Sequence, residues 1–143
     1  NFLETSAEKE ITEETGFDRD SLIDQENNCK FKPLSYLGRI VAIDQYVFGV
    51  LKKDAIPNKH TDTFEITDHI FIPEPILHAM LNKSDSLCKI GNKEWHLEAK
   101  GENSSLNFVD NNGTQKRFQI NLNSNLLIKN ITTALTALEQ AFC

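Results

Sequence analysis

Residues 6–17 read Ser6-Ala-Glu-Lys-Glu-Ile-Thr-Glu-Glu-Thr-Gly-Phe17. Thr5 with Glu8 three residues on is a capping-box pair, and Gly16 stands where a helix takes its left-handed stop. Between these marks the sequence predicts a short helix of about ten residues. At 3.6 residues per turn Ala7 and Ile11 share one face, and Glu10, Glu13 and Glu14 line up along its edge. Carboxylates spaced i, i+3 and i+4 repel by a few tenths of a kcal/mol per pair, and partial burial raises that cost. A hard divalent cation, which prefers oxygen ligands, would offset it. A solvated acidic helix accounts for the same residues without any site, and most acidic helices are of that kind.

The composition sets the outer bounds. The chain has 143 residues, enough for one compact domain with a core, and 39% apolar with 25% charged residues is an ordinary globular balance. A net charge of −6 argues against a broad nucleic-acid or anionic-membrane surface, though a bound cation can still carry phosphates. No apolar run reaches the ~18 residues that span a bilayer, and the first residues lack the pattern of a signal peptide. Cys29, Cys88 and Cys143 are odd in number and far apart, which points to a reducing, cytoplasmic setting rather than a disulfide framework. Asn-x-Ser/Thr triplets at Asn82, Asn103, Asn112 and Asn130 arise easily in so Asn-rich a chain. The chain opens on Asn1, only a few residues before the helix cap, so it reads as a fragment or a processed product.

The order Lys9-Glu-Ile-Thr-Glu-Glu-Thr-Gly-Phe17 resembles the second half of the Nudix box, Arg-Glu-U-x-Glu-Glu-x-Gly-U, where U is a bulky aliphatic residue. Six of seven restricted positions match, with Phe17 counted as bulky; the departure is Lys9 in place of Arg. The first half of the box is not in the chain: Asn1 stands where the family has Glu, and the family glycine would precede residue 1. The resemblance implies a domain of the α/β/α sandwich type, incomplete at its N-terminus. It also implies that Glu10, Glu13 and Glu14 hold Mg²⁺ or Mn²⁺ for hydrolysis of a diphosphate linked to a nucleoside-like group. In the family the Arg orients the first of these glutamates; Lys9 brings the charge without the bidentate fork.

Downstream, Asp18 to Lys30 reads as a polar loop anchored by Leu22 and Ile23. Phe31 to Ile43 has the bulk and branching of a strand, Asp44-Gln45 a two-residue turn, and Tyr46 to Leu51 the return strand. Lys52 to Thr63 is rich in breakers. Glu65-Ile-Thr-Asp-His-Ile-Phe-Ile-Pro73 follows as a strand ended by proline, and about Pro75 to Leu81 as a helix with Ile76, Leu77 and Met80 on one face. Glu65, Phe71, Ile72, Pro73 and Leu77 fall where Nudix domains carry a Glu, a strand ending before Pro and a leucine-bearing helix. Under that resemblance Glu65 is a further catalytic acid, acting as base or extra ligand; without it, Glu65 only begins an exposed strand.

From Asp85 the texture changes to turn signals at Ile90–Lys93, Lys100–Asn103 and Asp110–Gly113. Trp95 and Leu97, Leu106 and Phe108, then Phe118, Ile120 and Leu122 alternate with polar residues, the mark of an antiparallel meander with one dry face. Asn123 or Ser124 can cap a last helix whose Leu127, Ile131, Leu135, Leu138 and Phe142 recur at helical spacing.

The remaining candidates are weaker. His60, His69, His78 and His96 have no metal-ligand spacing, Tyr46, Phe48 and Trp95 sit as core residues on strands, and Cys29 has no neighbouring His to activate it. The expected fold is α+β: a mixed sheet with the acidic helix against it over residues 1–83, then a meander and helix over 84–143. The expected function is a metal-dependent hydrolase of the Nudix type acting on a nucleotide-like small molecule, with Glu10, Glu13, Glu14 and Glu65 as its residues. Two other classes fit the same sequence: a non-catalytic Nudix-like binding or adaptor module, and an acidic cytosolic α+β interaction protein. In either, residues 84–143 are available to a homodimer contact or a protein partner.

Overall fold

The structure is a computed structural model, and it describes residues 2–22, 35–36, 40–43, 46–49, 51–52, 55–57, 69–110 and 112–141. The chain divides into two compact units, Asn1–Ile70 with Thr136–Cys143, and Phe71–Leu135. Its helices and antiparallel sheets follow one another in blocks, so the class is α+β. Among the described residues no helix is long and apolar enough to cross a membrane.

In the first unit, helix α1 runs Phe2–Thr15 and is followed by a 3₁₀ turn at Arg19–Ser21. It is longer than predicted, because nothing from Phe2 to Glu4 stops a helix and Thr5 therefore lies a turn inside it. The predicted capping box does not form at this end. Glu8 is instead buried, with its Oε2 3.5 Å from the Nε of Arg19. At the other end Gly16 has φ +80°, the left-handed stop expected there, and its N–H donates to the Thr12 carbonyl at 2.9 Å. Ala7 and Ile11 pack with Leu51 around Leu22, which is 2% exposed. Leu22 reaches them through an antiparallel bridge to Leu51.

Strands β1 (Ser35–Tyr36), β2 (Ile40–Ile43) and β3 (Tyr46–Gly49) form a sheet in that order. Ile43 pairs with Tyr46, and Asp44 and Gln45, the expected two-residue turn, lie outside the described residues. The single strand expected over Phe31 to Ile43 is not what forms. Tyr36 pairs antiparallel with Val41, so this stretch supplies two strands, Ser35–Tyr36 and Ile40–Ile43. The described pairings are all antiparallel and joined by short connections, so they do not make the expected mixed sheet; a parallel pair needs a crossover of a dozen or more residues.

The second unit begins with helix α2 (Glu74–Asn82). Pro75 stands in its first turn, where a missing N–H costs nothing, and Ile76, Ala79 and Met80 are buried. Lys83 takes the left-handed cap at φ 51°, with the Ser84 N–H returning to the Ala79 carbonyl at 3.1 Å. Residues 69–72, expected to end a strand, are not in one, and 65–68 lie outside the described residues. Strands β4 (Ser86–Ile90), β5 (Lys93–Glu98), β6 (Ser104–Val109) and β7 (Gln115–Ile120) form the predicted meander in sequence order. Helix α2 packs on β4 and β5, within the compact unit Phe71–Leu135.

Turn chemistry sets the registers. Ile90 pairs with Lys93 across Gly91-Asn92, and Gly91 has φ +61°, a conformation only glycine takes without strain. The Asp110 carboxylate accepts the N–H groups of Asn112 and Thr114 at 2.9 Å each, closing the β6–β7 loop. On the dry face Leu97 and Leu106 are fully buried, and Trp95, Phe108 and Phe118 stack in a ladder with centroids 4.5 and 5.6 Å apart. Helix α3 (Asn125–Ala141) starts at the predicted cap, the Leu127 N–H donating to Ser124 Oγ at 3.2 Å, and buries Ile131, Leu135 and Ala137.

Candidate functional site

The acidic edge of α1 is held from its C-terminal end. Thr12 Oγ1 donates to the Phe17 carbonyl at 2.9 Å, and Thr15 Oγ1 donates to the Ile11 carbonyl at 2.6 Å while accepting the Phe17 N–H at 3.2 Å. Phe17 is buried at 6% exposure, so the chain leaving the helix is pinned by packing as well as by hydrogen bonds. Each bond contributes about 0.5–1.5 kcal/mol. Together they fix the last turn, the one that carries Glu13 and Glu14. The motif specifies neither threonine.

Glu10 is exposed, and Glu13 and Glu14 are half-buried beside the face that packs on Leu22. Lys9 places its Nζ 3.9 Å from Glu13, one turn on, rather than on the adjacent Glu10. Helical geometry requires this, because i and i+1 side chains point apart while i and i+4 meet. Lys9 is largely exposed and Glu13 partly so, so the pair orients Glu13 only loosely.

Chemically, the edge offers hard oxygen donors with one lysine to balance them. Among the described residues no group of three or more His, Cys, Asp or Glu converges to form a metal cage. Mg²⁺ seldom uses such a cage; it takes one or two carboxylates and fills its shell with water and substrate phosphates. Glu13 and Glu14, with Glu10 one turn back, suit that smaller donor set. Glu65, the fourth acid expected here, lies outside the described residues, as do Asp62, His60, Cys29 and Cys143.

The other histidines bear out their bland readings in part. His78 Nε2 lies 3.3 Å from Glu74 Oε1 on α2, an exposed i, i+4 pair. Trp95 is in the aromatic ladder, and Cys88 is a half-buried free thiol. Sequence reasoning missed the Glu8–Arg19 pair, which ties α1 to the 3₁₀ turn after it. The two residues are 11 positions apart with Gly16 between them, and no local signal links them. Against known proteins, no family model matches the chain, and no curated protein or solved structure matches it either.

Proposed function

We propose that the chain is a Nudix-type hydrolase, or the later portion of one, that cleaves a diphosphate attached to a nucleoside-like group. The observation that carries this is the line of Glu10, Glu13 and Glu14 on one edge of a helix stopped at Gly16. In this reading Glu13 and Glu14 with Glu10 hold Mg²⁺ or Mn²⁺, and the full domain is an α/β/α sandwich. The bound ion supplies neutralisation of the phosphates and lowers the pKa of water. Lys9 keeps Glu13 turned along the helix, Thr12 and Thr15 hold the turn rigid, and Glu65 takes the proton of the attacking water.

The test is hydrolysis of a panel of nucleoside diphosphate compounds with Mg²⁺ or Mn²⁺ by a chain that includes the natural upstream residues. Turnover is expected on at least one member, falling by about 10²–10⁴ in Glu65→Gln if that residue is the base. No turnover on any member contradicts the proposal.

A second reading is favoured by the departures from the motif, Lys9 in place of Arg and Asn1 in place of Glu. It takes the chain as a non-catalytic Nudix-like binding or adaptor module. Calorimetry separates the two, since the adaptor binds nucleotide without any need for divalent metal, or binds only a protein partner.

A further inference from the structure

The meander's dry face is filled by its own aromatics and leucines, whereas its wet face is concave. An open depression of about 500 Å³ lies there, lined by His96, Asn107 and Gln115, by Asn92 of the β4–β5 turn and by the Lys89–Glu94 pair. That volume is in the range of small-molecule sites, and the lining sets polar groups beside Phe108 and Val109; Arg117 lies outside it, next to Asn107 in the strand register. The ligand it suits is therefore rich in hydrogen-bonding groups.

Strand register adds a second feature. His96 pairs with Asn107, and Asn107 pairs with Arg117, so three side chains stand in one row across β5, β6 and β7 on the same face. Neighbours in such a row are about 5 Å apart. Imidazole, amide and guanidinium are all donors, and none of the three has a hydrogen bond or ion pair among the described residues. Asn92 and Gln115 are uncommitted in the same way.

The charges of this face point to an anion. Its carboxylates are each matched by a lysine, Glu94 with Lys89 at 3.1 Å and Glu98 with Lys100 at 3.7 Å. That leaves Arg117 as the uncompensated charge on the face of a protein whose net charge is −6. Guanidinium is the group best shaped to grip a phosphate through two parallel hydrogen bonds. Trp95, Phe108 and Phe118 are stacked on one another in the ladder, so their ring faces are not offered to a nucleobase.

We propose that the wet face of the β4–β7 sheet binds a small phosphorylated polyol, its phosphate on the His96–Asn107–Arg117 row and its hydroxyls against Asn92 and Gln115. Amides suit hydroxyls because each offers a donor and an acceptor. The site is independent of the α1 carboxylates and needs no divalent ion.

The test is an NMR titration of the full chain in EDTA with ribose 5-phosphate, ribose and inorganic phosphate. Ribose 5-phosphate should shift the amides of 91–96, 107–109 and 115–117 saturably, inorganic phosphate should do so about tenfold more weakly, and ribose should do nothing. Arg117→Gln should weaken ribose 5-phosphate at least tenfold with an unchanged melting temperature, and Arg117→Lys should restore part of the loss. Equal binding of inorganic phosphate overturns the polyol assignment in favour of free phosphate. No saturable shift by ~10 mM, shifts confined to other residues, or undiminished binding by Arg117→Gln overturns the site.

Discussion

The two units solve the packing problem with different materials. Among the described residues, the first unit gathers a small cluster in which Leu22 is buried and Ala7, Ile11 and Leu51 are partly so, with Phe17 buried at the end of α1. The second has Ile76, Met80, Leu97, Leu106 and Leu122 at 0–1% exposure behind a three-ring ladder. Fully burying such a side chain contributes about 1.5–3 kcal/mol. The residues with the clearest chemistry lie on the first unit, on α1. The difference teaches that the carboxylate edge of α1 is positioned by a few specific contacts, whereas the meander tolerates a polar, unsatisfied wet face because its dry face carries the stability.

The largest expected effect breaks or upholds that comparison directly. Leu106→Ala should cost about 2–5 kcal/mol, and Leu22→Ala less, because Ala7, Ile11 and Leu51 around it are only partly buried and can close in on the space. Denaturant midpoints for the two variants check this, and a larger loss at Leu22 would reverse the ranking. Leu135→Ala on α3 should cost a few kcal/mol as well, since the side chain is only 8% exposed. Wild-type melting of that variant would show that the helix contributes no packing. Gly91→Ala should cost about 1–2 kcal/mol through backbone strain alone, because a Cβ there meets no atom within 4 Å. A stability loss well above that would mean a steric clash. Lys9→Gln should change stability by less than ~0.5 kcal/mol, as expected of an exposed ion pair, and a thermal melt is sensitive enough to show otherwise.

The same contrast explains how much the amino-acid sequence disclosed. The meander was legible nearly residue by residue, because hairpin partners are sequence neighbours: Gly91-Asn92, the Asp110 loop, the Ser124 cap and the alternation of Trp95, Leu97, Leu106 and Phe108 are all local signals. The first unit was read less well, because its outcome depends on non-local contacts. Thr5 and Glu8 have the residue types of a capping box, yet burial beside Arg19 claims Glu8, and the helix runs on through Thr5. The bulk and branching of Phe31 to Ile43 read as one strand, and the stretch forms two paired strands. The glutamates of α1 fall on one edge as their spacing requires. The hydroxyls that fix that edge, Thr12 and Thr15, occupy positions the motif leaves open. The Arg117 row was invisible because it exists only once the register of three strands is known.

The central claim is that the α1 edge binds a divalent cation together with a diphosphate. The most direct measurement is the melting temperature of the chain with Mn²⁺ and a methylene-bridged, non-hydrolysable nucleoside diphosphate analogue, for wild type and Glu14→Gln. At 100 times the dissociation constant, mass action adds about 2.7 kcal/mol, which is roughly 5–10 °C for a chain of this size. Wild type should show that rise only when Mn²⁺ and analogue are both present, and Glu14→Gln should lose it. No rise in wild type, or the same rise in Glu14→Gln, would contradict the claim.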